Sequence, residues 1–154
     1  CCAIFAKELA NQRENMTVIT NSIFIADYIG YKPDFQIILP GGILQQRSQA
    51  LVGPLIEETV NKYHVDKMFI GTDGYSPKWG FSNKDHLRAE AVRNMSNNAD
   101  KVIILTESEK FLNLGTYPIG IDERIYGVVT DEKIEKEQIK DLENKGIKVL
   151  KVKV

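Results

Sequence analysis

The sequence predicts an α/β fold built on a doubly wound, mostly parallel sheet. Two observations carry that prediction. Short β-branched runs recur along the chain, at Met16–Thr20, Phe35–Leu39, Lys67–Ile70, Lys101–Leu105, Ile125–Val129 and Ile147–Val152. They are nearly continuous in apolar character rather than alternating, as strands covered on both faces are. Most of the intervals between them hold apolar residues at helical spacing, and strands alternating with helices define a parallel sheet. The length of 154 residues suits one domain with a continuous core.

The elements follow in order. Cys2–Ala10 reads as the middle of a helix, with Phe5 and Leu9 one turn apart and no capping residue ahead of them. The expectation is a fragment whose natural start is missing. Ser22 is placed to cap a helix carrying Ile25, Ala26 and Ile29. Gly53-Pro54 opens another, with Leu55, Ile56, Thr59, Val60 and Tyr63 on one face. Asp85 starts a helix whose buried stripe is Leu87, Ala91, Val92 and Met95. The last helix carries Ile139 and Leu142 and stops at Gly146, where a left-handed residue is expected. The final 24 residues hold 6 acidic and 7 basic side chains, intermixed, which describes a solvated helix and edge strand.

Composition excludes several classes. With 43% apolar residues and a net charge of −1, the chain is neither disordered nor basic enough to bind nucleic acid by neutralising phosphates. No apolar run approaches the ~18 residues of a membrane span. Cys1 and Cys2 are adjacent and are the only cysteines, so a disulfide or zinc site is not expected and a reduced, cytoplasmic setting is. His64 and His86 lack partners at ligand spacing, and His64 reads as a helix-terminus or surface residue. No metal and no cofactor are expected. The phosphate-binding loop G-x-x-x-x-G-K-[ST], the dinucleotide fingerprint G-x-G-x-x-G and the G-x-S-x-G elbow are all missing.

Ligands of open parallel sheets bind beyond the carboxyl ends of the strands. Those ends are followed here by Asn21-Ser22, Pro40-Gly41-Gly42, Gly71-Thr72-Asp73-Gly74, Thr106-Glu107-Ser108-Glu109-Lys110 and Thr130-Asp131. Glycines admit close backbone approach and offer amide N–H groups. Asn21 and Ser22 stand at a helix start, where an anion is stabilised. Asp73 and Glu107 suit sugar hydroxyls, and Lys110 supplies charge for a phosphate. Together they describe a pocket for a small polyhydroxylated anion, although glycine and Asx residues also follow strands simply to make turns. Thr72–Lys84 is a long connection of the kind that forms lids. Within it Trp79 either stacks on a ligand or packs under the loop, and Ser82 either caps the next helix or reaches the pocket. Arg47 reads as a surface residue before a phosphate clamp. Asp73 with Glu107 also suits an acid–base pair.

Thr20-Asn21-Ser22, Ile38–Gly42 (ILPGG), the S-x-A-x-V-G-P segment of Ser48–Pro54 and Val65–Gly74 (VDKMFIGTDG) together resemble the DeoR family of bacterial transcriptional repressors. Gly80-Phe81-Ser82, Glu90, Thr106–Phe111 and Thr130-Asp131 continue the pattern over nearly the whole chain. The resemblance implies the C-terminal effector-sensing domain, sharing a Rossmann-like layered fold with ribose-5-phosphate isomerases and CoA transferases. It further implies a non-enzymatic sensor of a phosphorylated sugar that modulates operator binding, with Asn21, Gly41, Gly42, Thr72, Asp73, Gly74, Glu90 and Lys110 as the ligand-binding set.

On this reading residues 1–154 are the sensor domain, self-associating as a homo-oligomer. Operator DNA is met only through an N-terminal winged helix-turn-helix domain outside the sequence. The first strand, with its D-S-G-T-T-like phosphate loop, is also outside it. Glu107-Ser108-Glu109 departs from the family's D-S-S-K-F by added negative charge beside Lys110. The rival readings are a sugar-phosphate isomerase or CoA-transferase-like enzyme on the same fold and, less favoured, a phospho-acceptor module using Asp73.

Overall fold

The computed structural model describes residues 1–153. The chain divides into two compact units, Cys1–Tyr63 and His64–Val154.

In the first unit, helix α1 (Cys2–Gln12) leads to strand β1 (Thr17–Ile19), helix α2 (Ile23–Ile29) and strand β2 (Gln36–Ile38). β1 and β2 pair in parallel, with Val18 opposite Ile37. Buried Ala10, Ile29 and Phe35 form the centre of a small core, flanked by Ala6, Met16, Val18, Ile25 and Ile37. Ser22 caps α2 as its sequence position predicts, its hydroxyl accepting from Ile25 N–H at 3.2 Å. An antiparallel hairpin follows, β3 (Ile43–Gln45) against β4 (Ala50–Val52), and then α3 (Leu55–Val60). With six residues, α3 buries only Ile56 and Val60. Leu55 and Tyr63, expected on the same face, stay 47% and 40% exposed.

The second unit carries the larger sheet. Strands β5 (Val65–Ile70), β8 (Ala99–Leu105), β10 (Ile125–Asp131) and β11 (Lys148–Val152) lie side by side in that order, every pair parallel. Parallel crossovers are right-handed. With the strands added in one direction, all the connections therefore lie on one face. That face holds the core: Met68, Ile70, Val102, Ile104 and Val128 alternate inward under Tyr75, Phe81, Phe111 and Leu142. Between β5 and β8 run the hairpin strands β6 (Gly74–Ser76) and β7 (Gly80–Asn83) and helix α4 (His86–Ser96). Strand β9 (Tyr117–Pro118) pairs with β7, and helix α5 (Lys136–Asn144) joins β10 to β11. Asp85 caps α4, accepting from Arg88 N–H at 2.9 Å. Gly146 ends the α5 segment at φ +77°.

The α/β class and the parallel pairing agree with the sequence prediction, and all six expected runs are strands. Two expectations need correction. Segment 72–84 is not an unstructured lid. It is a hairpin whose Tyr75 and Phe81 are 4% and 0% exposed, anchored by aromatic contacts to each other and to Phe111. Leu87 is 36% exposed and leaves the buried stripe of α4 to Ala91, Val92 and Met95.

Candidate functional site

Two residues beyond the aligned Ile70, Ile104 and Val128, the strands β5, β8 and β10 each reach a threonine. Thr72, Thr106 and Thr130 are 7%, 5% and 1% exposed. A β-branched residue suits a strand end, and its hydroxyl replaces ladder partners that are running out. Thr72 Oγ1 lies 2.9 Å from both Ser82 O and Gly74 O. Thr130 Oγ1 has no partner among the described residues.

Asp73 follows Thr72 and is already engaged. Its N–H donates to Ser82 O at 3.0 Å, and its Oδ2 accepts from Lys84 N–H at 3.0 Å. The same oxygen lies 3.4 Å from Arg88 Nη2. Gly74 serves packing: a Cβ there would stand 2.5 Å from Asn113 O, the carbonyl that accepts from Tyr75 N–H at 3.0 Å. Asn113 ends the 3₁₀ turn Ser108–Leu112, which carries Lys110, half-buried between exposed Glu107 and Glu109. Asp131, closing β10, anchors the start of that turn. Its Oδ2 accepts from Ser108 N–H at 2.7 Å and its Oδ1 from Lys133 N–H at 2.9 Å. These bonds, that from Ser108 first, hold its carboxyl below the usual carboxylate range.

This edge of the second unit therefore brings together Thr72, Asp73 and Gly74 and, through Asn113, the turn bearing Lys110. It does not bring in Glu90. At 100° per residue, Glu90 lies about 160° around α4 from Arg88, and it is exposed. Arg88 was missed from sequence. Its signal was an arginine at i, with Val92 at i+4 and Met95 at i+7, which sets it on the helix face that packs inward.

In the first unit, Asn21 ties the end of β1 to the β3–β4 hairpin. Its O accepts from Leu51 N–H at 2.7 Å and its Nδ2 donates to Leu51 O at 3.0 Å. Gly42 has φ +147° and a Cβ position 2.5 Å from Val52 O, so no side chain fits. Gly41 is exposed beside Leu55. A shallow groove of about 630 Å³ runs between α2 and β2, lined by Ile23, Ala26, Tyr31, Ile37 and Leu39 among others. None of the expected ligand residues lines it.

Trp79 does not pack under the hairpin. It is 55% exposed near the turn, with Lys78 Nζ 4.9 Å from its ring. Ser82 is buried, and its hydroxyl accepts from Gly115 N–H at 2.8 Å instead of capping α4. Arg47 is a surface residue of the β3–β4 turn. His64 is exposed beside Asp100 at 3.0 Å. Among the described residues no three of His, Cys, Asp and Glu group as metal ligands, and no helix is long and apolar enough to cross a membrane.

Over residues 1–132 the chain matches a family of C-terminal sensor domains. The family is DeoR, described as the DeoR C terminal sensor domain, and the chain belongs to it. It is 31% identical over 137 residues to the uncharacterized HTH-type transcriptional regulator YulB of Bacillus subtilis, covering 89% of this chain and 53% of that protein. To the putative aga operon transcriptional repressor of Escherichia coli O157:H7 it is 26% identical over 144 residues, 94% of this chain and 54% of the relative. To the glycerol-3-phosphate regulon repressor of Escherichia coli K12 it is 24% identical over 117 residues, 76% and 46%. The chain thus spans about half the length of the curated relatives it matches. Those relatives are named as transcriptional regulators or repressors.

Proposed function

We propose that the chain is the effector-sensing domain of a repressor of sugar metabolism and that its effector is a small phosphorylated sugar. The observation that carries this is the carboxyl edge of β5, β8 and β10. Buried hydroxyls, Asp73 and the Lys110 turn meet there, where parallel sheets take their ligands. Thr72, Asp73, Gly74 and Lys110 form the ligand set of the second unit. Asn21, Gly41 and Gly42 form that of the first, while Glu90, exposed on the outer face of α4, stands apart from both. The aga operon and the glycerol-3-phosphate regulon named for two relatives support a link to carbohydrate and phosphate-ester metabolism.

Operator DNA is bound by an N-terminal winged helix-turn-helix domain outside this sequence, in a cytoplasmic homo-oligomer. Symmetric operators call for symmetric proteins. For the domain we assign the doubly wound, Rossmann-like class of ribose-5-phosphate isomerases and CoA transferases, a reading supported by the parallel strand pairing within each unit. The effector acts only through its unequal affinity for the DNA-binding and released states.

A thermal-shift screen of the full-length protein against sugar phosphates tests this. Ligand at 100 times its dissociation constant adds about 2.7 kcal/mol. That raises the melting temperature by roughly 5–11 °C for a domain of this size. Turnover of any of these compounds, or the absence of a shift with all of them, refutes the reading.

A further inference from the structure

We propose that Arg88 captures the phosphoryl group of the effector and that Asp73 holds Arg88 in place instead of receiving a sugar hydroxyl through its Oδ2. The proposal rests on the sugar-phosphate reading and assigns the anion-binding group within it.

Asp73 Oδ2 is committed. It accepts from Lys84 N–H at 3.0 Å and faces Arg88 Nη2 at 3.4 Å. A carboxylate oxygen so occupied is a poor acceptor for a further ligand and a good tether for a cation. Arg88 shares its helix line with Val92 and Met95, both packed on the core, so its stem runs along the inward face of α4. The guanidinium meets Asp73 in the first turn of α4, with the side chain 32% exposed. A guanidinium carries five donors in a planar fork. The Asp73 contact uses one nitrogen, and Arg88 makes no other side-chain hydrogen bond or ion pair among the described residues.

The remaining donors match a phosphoryl group in the two-pronged geometry that a lysine does not offer. Each candidate cation has two carboxylates beside it, Glu107 and Glu109 for Lys110 and Asp73 and Asp85 for Arg88, so the fork and not the local charge distinguishes Arg88. An unmet acceptor stands at the same strand end. The Asn83 Oδ1, on a residue 1% exposed, has no donor and suits a ligand hydroxyl.

The test uses the full-length protein with ribose 5-phosphate, glucose 6-phosphate, fructose 1-phosphate and glycerol 3-phosphate, each beside its unphosphorylated parent. For the best-binding phosphate, Arg88→Gln is expected to weaken affinity about 10- to 100-fold while leaving affinity for the parent compound unchanged. Arg88→Lys keeps the ion pair, and with it the fold, but loses the fork. It is expected to bind the phosphate several-fold more weakly than wild type, again with the parent unaffected. Wild-type binding of the phosphate by both variants overturns the assignment and leaves the sugar-phosphate reading standing. Equal loss for phosphate and parent shows a structural role and also overturns it. A wild-type protein shifted by none of the four phosphates overturns both readings.

Discussion

Gly74→Ala separates two accounts of the glycine that follows Asp73. Its φ lies outside the left-handed region, so alanine is conformationally acceptable there. The obstacle is space: the added Cβ would sit 2.5 Å from Asn113 O, 2.8 Å from Gly115 N and 2.9 Å from Asn113 C. Ordinary non-bonded contacts begin near 3.5 Å, so β6 and the chain at Asn113 must part by roughly 1 Å. Overpacking of this kind costs about 1–3 kcal/mol. Stretching the Tyr75 N–H bond to the same carbonyl adds about 1 kcal/mol. The sum is about 2–4 kcal/mol, or a fall in melting temperature of roughly 4–16 °C.

A domain with ~5–15 kcal/mol of stability survives that loss. Urea denaturation followed by circular dichroism reads it directly. Because Asn113 ends the turn that carries Lys110, the stabilisation by a sugar phosphate is expected to fall as well. A variant within about 0.5 kcal/mol of wild type that has lost only ligand binding would falsify the packing account. It would return Gly74 to the role of a ligand-approach glycine.

Two further predictions concern pH. Burial, then the hydrogen bond to Asp141, raise the Tyr75 phenol well above its ordinary value. Its contribution is therefore complete below about pH 10 and lost as pH rises beyond it. Tyr75→Phe is expected to be about 1–2 kcal/mol less stable at neutral pH, with the gap narrowing above pH 10 in urea titrations. Asp131 behaves in the opposite sense. Its lowered pKa gives stability that is present above about pH 4 and lost as pH falls through the folded value. Asp131→Asn is expected to be less stable at neutral pH and to show a shallower acid limb. An unchanged acid limb removes the Ser108 contact from the ledger of pH-sensitive bonds.

What was legible depended on whether a residue's partner was local. The six parallel strands announced themselves because covered strands need apolar side chains in succession, and Ser22, Asp85 and Gly146 declared their helix ends through chemistry confined to one turn. The hairpins did not. β3 and β6 are three residues each, too short for alternation to register, and Pro77 and Gly80 read as loop punctuation when they bracket a turn between paired strands. Among the candidate site residues, Thr72, Asp73, Gly74 and Lys110 were singled out because each lies just beyond a strand end. Arg88 was not, because its meeting with Asp73 depends on the intervening hairpin returning the chain to the end of β5. Leu55, Tyr63 and Leu87 showed the converse error: helical spacing identifies a shared face but not how much of it a short helix covers.

The strand order β5, β8, β10, β11 is also the order in which the chain is made. Pairing partners are Val65 with Ala99, Val102 with Ile125 and Gly127 with Lys148, separations of 34, 23 and 21 positions. Each strand leaving the ribosome therefore meets an edge that is already complete, and no earlier pair has to open to admit it. At ~5–20 residues per second, the stretch from β5 to β11 emerges in roughly 4–18 s. The edge strand β11 carries exposed Lys148 and Lys151. That charged edge discourages pairing with a neighbouring nascent chain.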